Sequence, residues 1–480
     1  MKNKKCKDPV YTTGRVVLLS LFYAAAGAYA VADDSGAGSL ETTGGSEPKN
    51  IWVGSYSSNV KGDITLSQDK DGLNITDLSV PLDFVKSDVK YDNGAIKGAI
   101  KVDPSSVDLK MKAVSEEGNA TVFESGDINL SKEESFRVSE VGKIDASTAG
   151  ISALEVANFK LEAEAIAEKG EARAVKVGAI DGGRSSVSAY DDSEGKHDEI
   201  LNVKSENRGD IEIKAVAKGK TLANAIEATE IYGGNVALEA VATATAGDAN
   251  AILVDGISSK GGKSSIKASA EATNGKAVAI KASEIDVNSV EASAVSKAQL
   301  LDQQDKSKLA TAGDATAIDS GTIYASTVKA SALSEGGNAM AVKGSVYGEK
   351  DLTIEAVAEA KKAQISESAD GKEKTFAAGN ATAIEGYTIK AGGWKNDQSS
   401  SDAAINDVNV NIKASAVAEG LDTDTTVEAT AIKVGKADDP KYMAGVVVGN
   451  EETKSIDVVK TLPEKLTKNV SATINASASA

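Results

Sequence analysis

A repeating unit of about 24 residues constrains this chain more than any other feature of its sequence. Its clearest copy spans residues 328–347, where apolar residues alternate with polar ones and then lead into a Gly-Asn turn and an Ala-Met-Ala-Val run. The second half of the unit recurs nine times, beginning at Gly118, Gly170, Ala223, Gly247, Gly275, Gly313, Gly337, Gly379 and Glu428. Polar insertions such as 299–309 and 361–375 account for the longer separations. This periodicity predicts a solenoid of stacked coils.

The alternation within the unit favours strands over helices. Ala, Glu and Lys are good helix formers, but Leu161, Ala163 and Ala165 fall at every second position, which is a strand period. Gly beside Asn or Asp interrupts each unit after about eight residues, too soon for a stable helix, and residues 105–439 contain no proline. We therefore predict an all-β fold, a parallel β-helix (β-solenoid) with roughly 24-residue coils and loop insertions, rather than an Ala-rich helical repeat.

Alanine dominates the predicted core. Burying a methyl-sized group stabilises by about 0.8 kcal/mol, against about 1.5–3 kcal/mol for Val or Leu, so a single coil is unstable and must be stabilised by stacking. Small side chains allow the walls of the coil to lie close together, with Ile, Val and Leu filling the corners. Nine or more coils spaced about 4.8 Å apart predict a rod at least ~45 Å long.

Four segments are predicted along the chain. Residues 1–30 have a basic start, an apolar run from Val16 to Ala26 and an Ala-Tyr-Ala end, typical of a signal peptide that is cleaved after secretion. A flexible linker is predicted for 31–50, and N-terminal capping coils for 51–105. The repetitive β-solenoid is predicted for 106–480, incomplete at its C-terminus.

Charge and cysteine content exclude several classes of protein. Residues 31–480 carry 48 basic and 70 acidic side chains, a formal net charge of −22, which repels nucleic acid and anionic membranes. The single cysteine, Cys6, lies in the predicted leader, so the remaining chain forms no disulfide. A long secreted chain without disulfides must be held together in another way, such as a continuous ladder of backbone hydrogen bonds.

Catalytic and metal chemistry are not predicted. His197 is the single histidine and lies in a charged stretch, 191–199, so Cys/His dyads and His/Cys metal clusters are excluded. No Gly-x-Ser-x-Gly elbow frames a serine nucleophile. Asp69 and Asp71 begin a calcium-loop pattern that lacks its matching acidic residue, which favours a solvated turn. We expect no enzyme activity and no cofactor, with a β-helical polysaccharide-active enzyme as the alternative because such an enzyme needs no histidine.

Two short motifs are candidate binding residues. Arg208, Gly209 and Asp210 spell an integrin-binding tripeptide, which requires a suitable loop to function. Trp394 lies in a Gly-rich insertion, where its ring either stacks on a sugar or packs beneath the loop. Loop insertions near 191–210, 299–309, 361–375 and 392–402 are the expected contacts for host matrix proteins or glycans, because loops on a rigid scaffold usually determine specificity.

The signal peptide, the acidic body without cysteine, the scarcity of proline and the Gly-Asn/Asp punctuated Ala/Val/Ile repeats together resemble the passenger domains of bacterial autotransporters and related surface adhesins. The resemblance covers the whole chain in style. It implies a β-helix displayed on, or released from, the outer membrane of a Gram-negative cell. Residues 379–383 also resemble the short repeats of trimeric adhesin heads, which is a second interpretation.

One feature departs from the autotransporter pattern. Such proteins end in a membrane β-barrel, whereas here residues 470–478 match the opening strand of another repeat. We therefore expect a truncated passenger that would meet the outer membrane only through a missing C-terminal barrel. The predicted role is an adhesive or structural spacer at the cell surface or outside the cell.

Overall fold

The computed structural model describes most of the repetitive region and short pieces before and after it. The described residues are 51–60, 64–67, 73–74, 90–92, 95–97, 107–138, 156–191, 198–205, 207–299, 313–348, 351–367, 372–376, 378–391, 408–419, 427–434, 445–448 and 470–479. Within these ranges the chain forms strands and no helix. Consequently no described helix is long and apolar enough to cross a membrane.

The first sheet stacks one long strand from each coil. Its eleven described strands are all parallel and define coils 1 to 11 in chain order. They are Ile51–Val60, Val107–Ser115, Phe159–Ala167, Ile211–Gly219, Val236–Ala244, Ser265–Thr273, Ser289–Lys297, Thr327–Glu335, Asp351–Lys361, Val408–Ala418 and Val470–Ser479. Ten intervals of about 4.8 Å give the stack a length of ~48 Å.

The second sheet is formed by two short strands of each coil, which run on as one strand in coils 6 to 8. The first short strands are Ile64–Ser67, Ala120–Glu124, Glu171–Lys176, Leu222–Glu227, Asp248–Leu253, Ala381–Gly386 and Ala429–Val434. The second short strands are Leu73–Asn74, Ile128–Asn129, Ala179–Asp181, Glu230–Gly233, Gly256–Ser259, Thr388–Ala391 and Gly445–Val448. The continuous strands are Ala277–Asp286, Ala315–Tyr324 and Ala339–Gly348.

Identical small or branched residues form columns in the core. On the long strands, Ala270, Ala294, Ala332 and Ala358 lie in register on four successive coils, and all are buried. A neighbouring column contains Ile266, Val290, Val328 and Ile354. The alanines therefore let the two sheets approach closely, and the branched residues fill the wider part of the coil.

A bend explains the recurring Ala-x-Ala-Ile run. In Ala315–Tyr324 the neighbouring residues Ala317 and Ile318 are both fully buried. Two consecutive inward residues break the period of two, because a straight strand would send the second one outward. The run therefore turns the chain around a corner of the core.

The Gly-Asn and Gly-Asp turns connect each coil to the next. The side-chain oxygen of Asp314 accepts a hydrogen bond from the backbone N–H of Asn338 at 2.9 Å, and Asn338 accepts one from Asn380 at 2.9 Å. The preceding glycines stack without a side chain: a Cβ at Gly313 would lie less than 3.0 Å from the Gly275 carbonyl oxygen. These turns therefore satisfy polar backbone groups between coils as well as reversing the chain.

Insertions occur at both ends of the long strands. One small sheet pairs Lys132–Val138 with Ser185–Asp191 in parallel, and Ser185–Asp191 with Asp198–Lys204 in antiparallel fashion. Two hairpins, Lys90–Asp92 with Ala95–Lys97 and Ala363–Glu367 with Lys372–Phe376, form further insertions. Each insertion leaves the register of the two main sheets intact on both sides.

The predicted fold class is confirmed: the chain forms a parallel β-solenoid whose shortest coil separation is 24 residues, as between Asp314 and Asn338. Long strand Ile51–Val60 already pairs in parallel with Val107–Ser115. The capping role of 51–105 stays a prediction, and the predicted leader and linker lie outside the described residues.

Candidate functional site

Three outward surfaces of the solenoid carry polar chemistry: the long strands, the corner before coil 4, and the second short strands. Among the described residues no group of three or more His, Cys, Asp or Glu side chains could hold a metal ion. The candidate site is therefore built from ion pairs and aromatic rings.

The outer face of the long strands carries a column of alternating charge. One outward position, followed through coils 2 to 10, is occupied by Lys110, Glu162, Lys214, Glu239, Lys267, Glu291, Lys329, Glu355 and Lys413. We call these nine residues the charge column. Lys110 lies 3.0 Å from Glu162, and Glu355 lies between Lys329 at 3.9 Å and Lys413 at 3.3 Å.

The charge column stabilises correct stacking more than it stabilises any one coil. Its side chains are partly exposed, so each pair contributes about 0.2–1 kcal/mol or less. Alternation nevertheless gives every inner member two neighbours of opposite charge, and like charges facing each other across strands are destabilising. The column therefore favours the observed order of the coils and leaves this face close to neutral on an acidic chain.

The charge column predicts a small pH effect. The hydrogen bond that Lys110 donates to Glu162 holds the pKa of that carboxyl below its ordinary value, with further lowering by the charges of Lys110, Lys160 and Lys214. A lowered folded-state pKa adds stability above the unfolded pKa, and this is lost as the pH falls through the folded pKa. We expect Glu162→Gln to lower the melting temperature by about 1 °C at pH 7 and by nothing near pH 3. Circular dichroism melts across this range provide the test; in a Lys110→Met background the difference at pH 7 should shrink.

The tripeptide Arg208–Gly209–Asp210 forms the corner that leads into coil 4. The Arg208 guanidinium donates a hydrogen bond to the Asp181 carboxylate and lies 3.9 Å from the centre of the Tyr232 ring. The Gly209 N–H donates to the Gly182 carbonyl at 2.9 Å. The Asp210 carboxylate accepts the backbone N–H of Asn235 at 2.7 Å.

All three residues of this motif therefore have a role in stacking. Arg208 is only 19% exposed in its side chain, and its buried Nε has no hydrogen-bond partner. Asp210 belongs to a corner ladder in which its own N–H donates to Asn158 and its carboxylate caps Asn235. An integrin-type role for the motif stays a prediction, and it would require Arg208 to leave Asp181 and Tyr232.

The second short strands carry a column of tyrosines and carboxylates. Its members, in register from coil 2 to coil 9, are Asn129, Asp181, Tyr232, Ser258, Asp286, Tyr324, Tyr347 and Lys390. We call these eight residues the tyrosine column. The rings of Tyr324 and Tyr347 lie on adjacent coils with centroids 5.2 Å apart and planes inclined by 36°.

Tyr324 lies in a negative environment. Burial raises the pKa of its hydroxyl, and the carboxylate of Glu284, the neighbouring Tyr347 and the carboxylate of Asp286 raise it further. Glu284 and Asp286 occupy adjacent outward positions of coil 6, in register with Thr322 and Tyr324 of coil 7. An aromatic ring flanked by carboxylates attracts cations electrostatically.

The remaining predicted binding residues fall elsewhere. Trp394 and His197 lie outside the described residues, as do most of the insertions 299–309 and 392–402. The structure thus does not bring Trp394 together with Arg208, Gly209 and Asp210, and its proposed binding role stays a prediction.

Comparison of the chain with protein-family models, with curated proteins and with solved structures finds no match. The functional argument therefore depends on the residues of the chain itself.

Sequence reasoning missed both columns. The signal exists in the repeats: the second outward residue of each long strand alternates between Lys and Glu, and the residue after the last buried Ile of each coil is often Asp or Tyr. Either pattern becomes visible once all copies of the unit are aligned without their insertions.

Proposed function

We propose that the chain is a secreted or cell-surface β-solenoid passenger with an adhesive or structural spacer role and no catalysis. The observation that supports this proposal most strongly is the uninterrupted register of the long strands from coil 1 to coil 11. A stack of this kind places its faces and insertions at fixed heights along a rod. Rigid presentation of loops and repeated surfaces suits adhesion and spacing.

The composition of the surface supports the same proposal. The charge column makes one face nearly neutral, the tyrosine column places aromatic rings on another, and the net charge disfavours nucleic acid. Host matrix proteins and glycans are the proposed partners, and the predicted signal peptide places the chain outside the inner membrane of a Gram-negative bacterium.

The test is an adhesion assay with a matched assay for catalysis. Beads coated with the purified chain are applied to arrays of matrix proteins and glycans at physiological salt, beside beads carrying heat-unfolded chain. Saturable binding by the folded chain alone would support adhesion, and a folded rod without binding would support the spacer role. Release of new sugar ends from the same glycans would contradict the proposal and favour a polysaccharide-active enzyme.

A further inference from the structure

The tyrosine column repeats one arrangement at two heights. In the lower copy, Asp181 of coil 3 is in register with Tyr232 of coil 4. In the upper copy, Asp286 of coil 6 is in register with Tyr324 of coil 7. The two copies therefore present a carboxylate and an aromatic ring with the same strand spacing.

The lower copy shows what this arrangement binds. The guanidinium of Arg208 lies over the Tyr232 ring at 3.9 Å and hydrogen-bonds to the Asp181 carboxylate at the same time. Both contacts use properties specific to arginine, because its planar cation stacks on an aromatic face while its N–H groups point to a carboxylate. The spacing of one coil thus accommodates a guanidinium.

The upper copy is broader and more negative. Tyr347 adds a second ring beside Tyr324, with centroids 5.2 Å apart, and Glu284 adds a second carboxylate next to Asp286. Lys390 of coil 9 is in register with Tyr347 and limits the negative region to the side of coil 6. The larger platform can therefore hold a cation between Asp286 and the two rings.

The source of the cation differs between the two copies. Arg208 lies 27 residues after Asp181 and arrives through the insertion at that corner. After Asp286 the chain passes through Val287 and Asn288 directly into Ser289–Lys297. The corner that supplies the arginine to the lower copy thus has no inserted residues at the upper one.

We propose that Asp286, Tyr324 and Tyr347 form a docking site for an arginine side chain of a partner protein. The guanidinium stacks on the tyrosine rings and pairs with Asp286, in the manner of Arg208 at the lower copy, while Glu284 adds attraction. This inference goes beyond the proposed display role. It is tested at the tyrosine rings and not by adhesion, so either proposal can fail alone.

The probe is N-acetyl-L-argininamide, titrated into the folded chain with 13C-labelled tyrosine rings and followed by NMR. Single-site Tyr→Phe variants assign the signals of Tyr324, Tyr347, Tyr232 and Tyr387. We expect saturable shifts of Tyr324 and Tyr347, weakened about threefold to fivefold in Asp286→Asn. Tyr387, an exposed tyrosine of coil 9, is the matched control and should not shift.

A second variant makes the test independent of the first. Arg208→Met vacates the lower copy, so the same probe should now also shift Tyr232 while Tyr324 and Tyr347 respond as before. The uncharged N-acetyl-L-norleucinamide should shift none of the rings. This comparison separates guanidinium binding from general attraction to an acidic chain.

Three outcomes would overturn the proposal. The first is the absence of saturable shifts at Tyr324 and Tyr347. The second is equal binding in Asp286→Asn, which would remove the carboxylate from the site. The third is a shift of both rings by maltotetraose that persists in Asp286→Asn, which would assign the rings to a glycan.

Discussion

Gly313→Val is expected to destabilise the chain by about 3 kcal/mol or more, because the new side chain has no space in the stack of turns. A Cβ at Gly313 would lie less than 3.0 Å from the carbonyl oxygen of Gly275 and 2.9 Å from Oγ of Ser296. The Gly275 carbonyl accepts a hydrogen bond from that same Oγ at 2.7 Å. Valine therefore separates coils 6 and 7 and breaks this hydrogen bond.

Gly262→Val is the matched control. Gly262 also lies in a turn, but a Cβ there would meet no atom within 4 Å. Urea unfolding followed by far-UV circular dichroism should show a much lower midpoint for Gly313→Val and little change for Gly262→Val. Equal midpoints for the two variants would mean that the glycine stack does not limit coil spacing.

The parts of the fold that the sequence predicted are those set by local chemistry. Alternation in residues 328–332 indicates a strand whichever coil lies beside it, and a Gly-Asn pair indicates a turn. The coil length could be read from Ala315 and Ala339, which have no insertion between them. Parallel stacking then followed from the need to bury alanine faces that are too weak alone.

The parts that could not be predicted depend on register between distant residues. Lys110 and Glu162 are neighbours although 52 residues separate them, because the intervening insertion leaves the stack and returns. The charge column appears only when such insertions are placed correctly.

The Arg208 motif shows a second limit. The tripeptide reads as a loop motif in sequence, but the corner ladder formed by Asn158, Asp210 and Asn235 assigns its aspartate a structural role. Contact between Arg208 and Tyr232 needs a chain reversal and one full short strand. No local pattern encodes that contact, so the site emerged only from the fold.

Ala294→Leu is the second substitution expected to have a large effect. Ala294 is fully buried in the long strand of coil 7, between Ala270 of coil 6 and Ala332 of coil 8 in the same column. Leucine adds three carbon atoms where the two sheets already lie close together, and overpacking of this kind costs about 1–3 kcal/mol or more. Because coils contact only their neighbours, we expect the damage to centre on coils 6 to 8.

Hydrogen exchange with the urea midpoint distinguishes this local effect from a general loss of stability. Ala294→Leu should lower the midpoint and speed exchange of the amides in Ser265–Thr273 and Thr327–Glu335 more than in Ile211–Gly219. Ser293→Leu, one residue away on the outward face, should change stability by about 0.5 kcal/mol or less. If both variants behaved alike, the core would have room for a larger residue, and close approach of the sheets would not be the reason for its alanine columns.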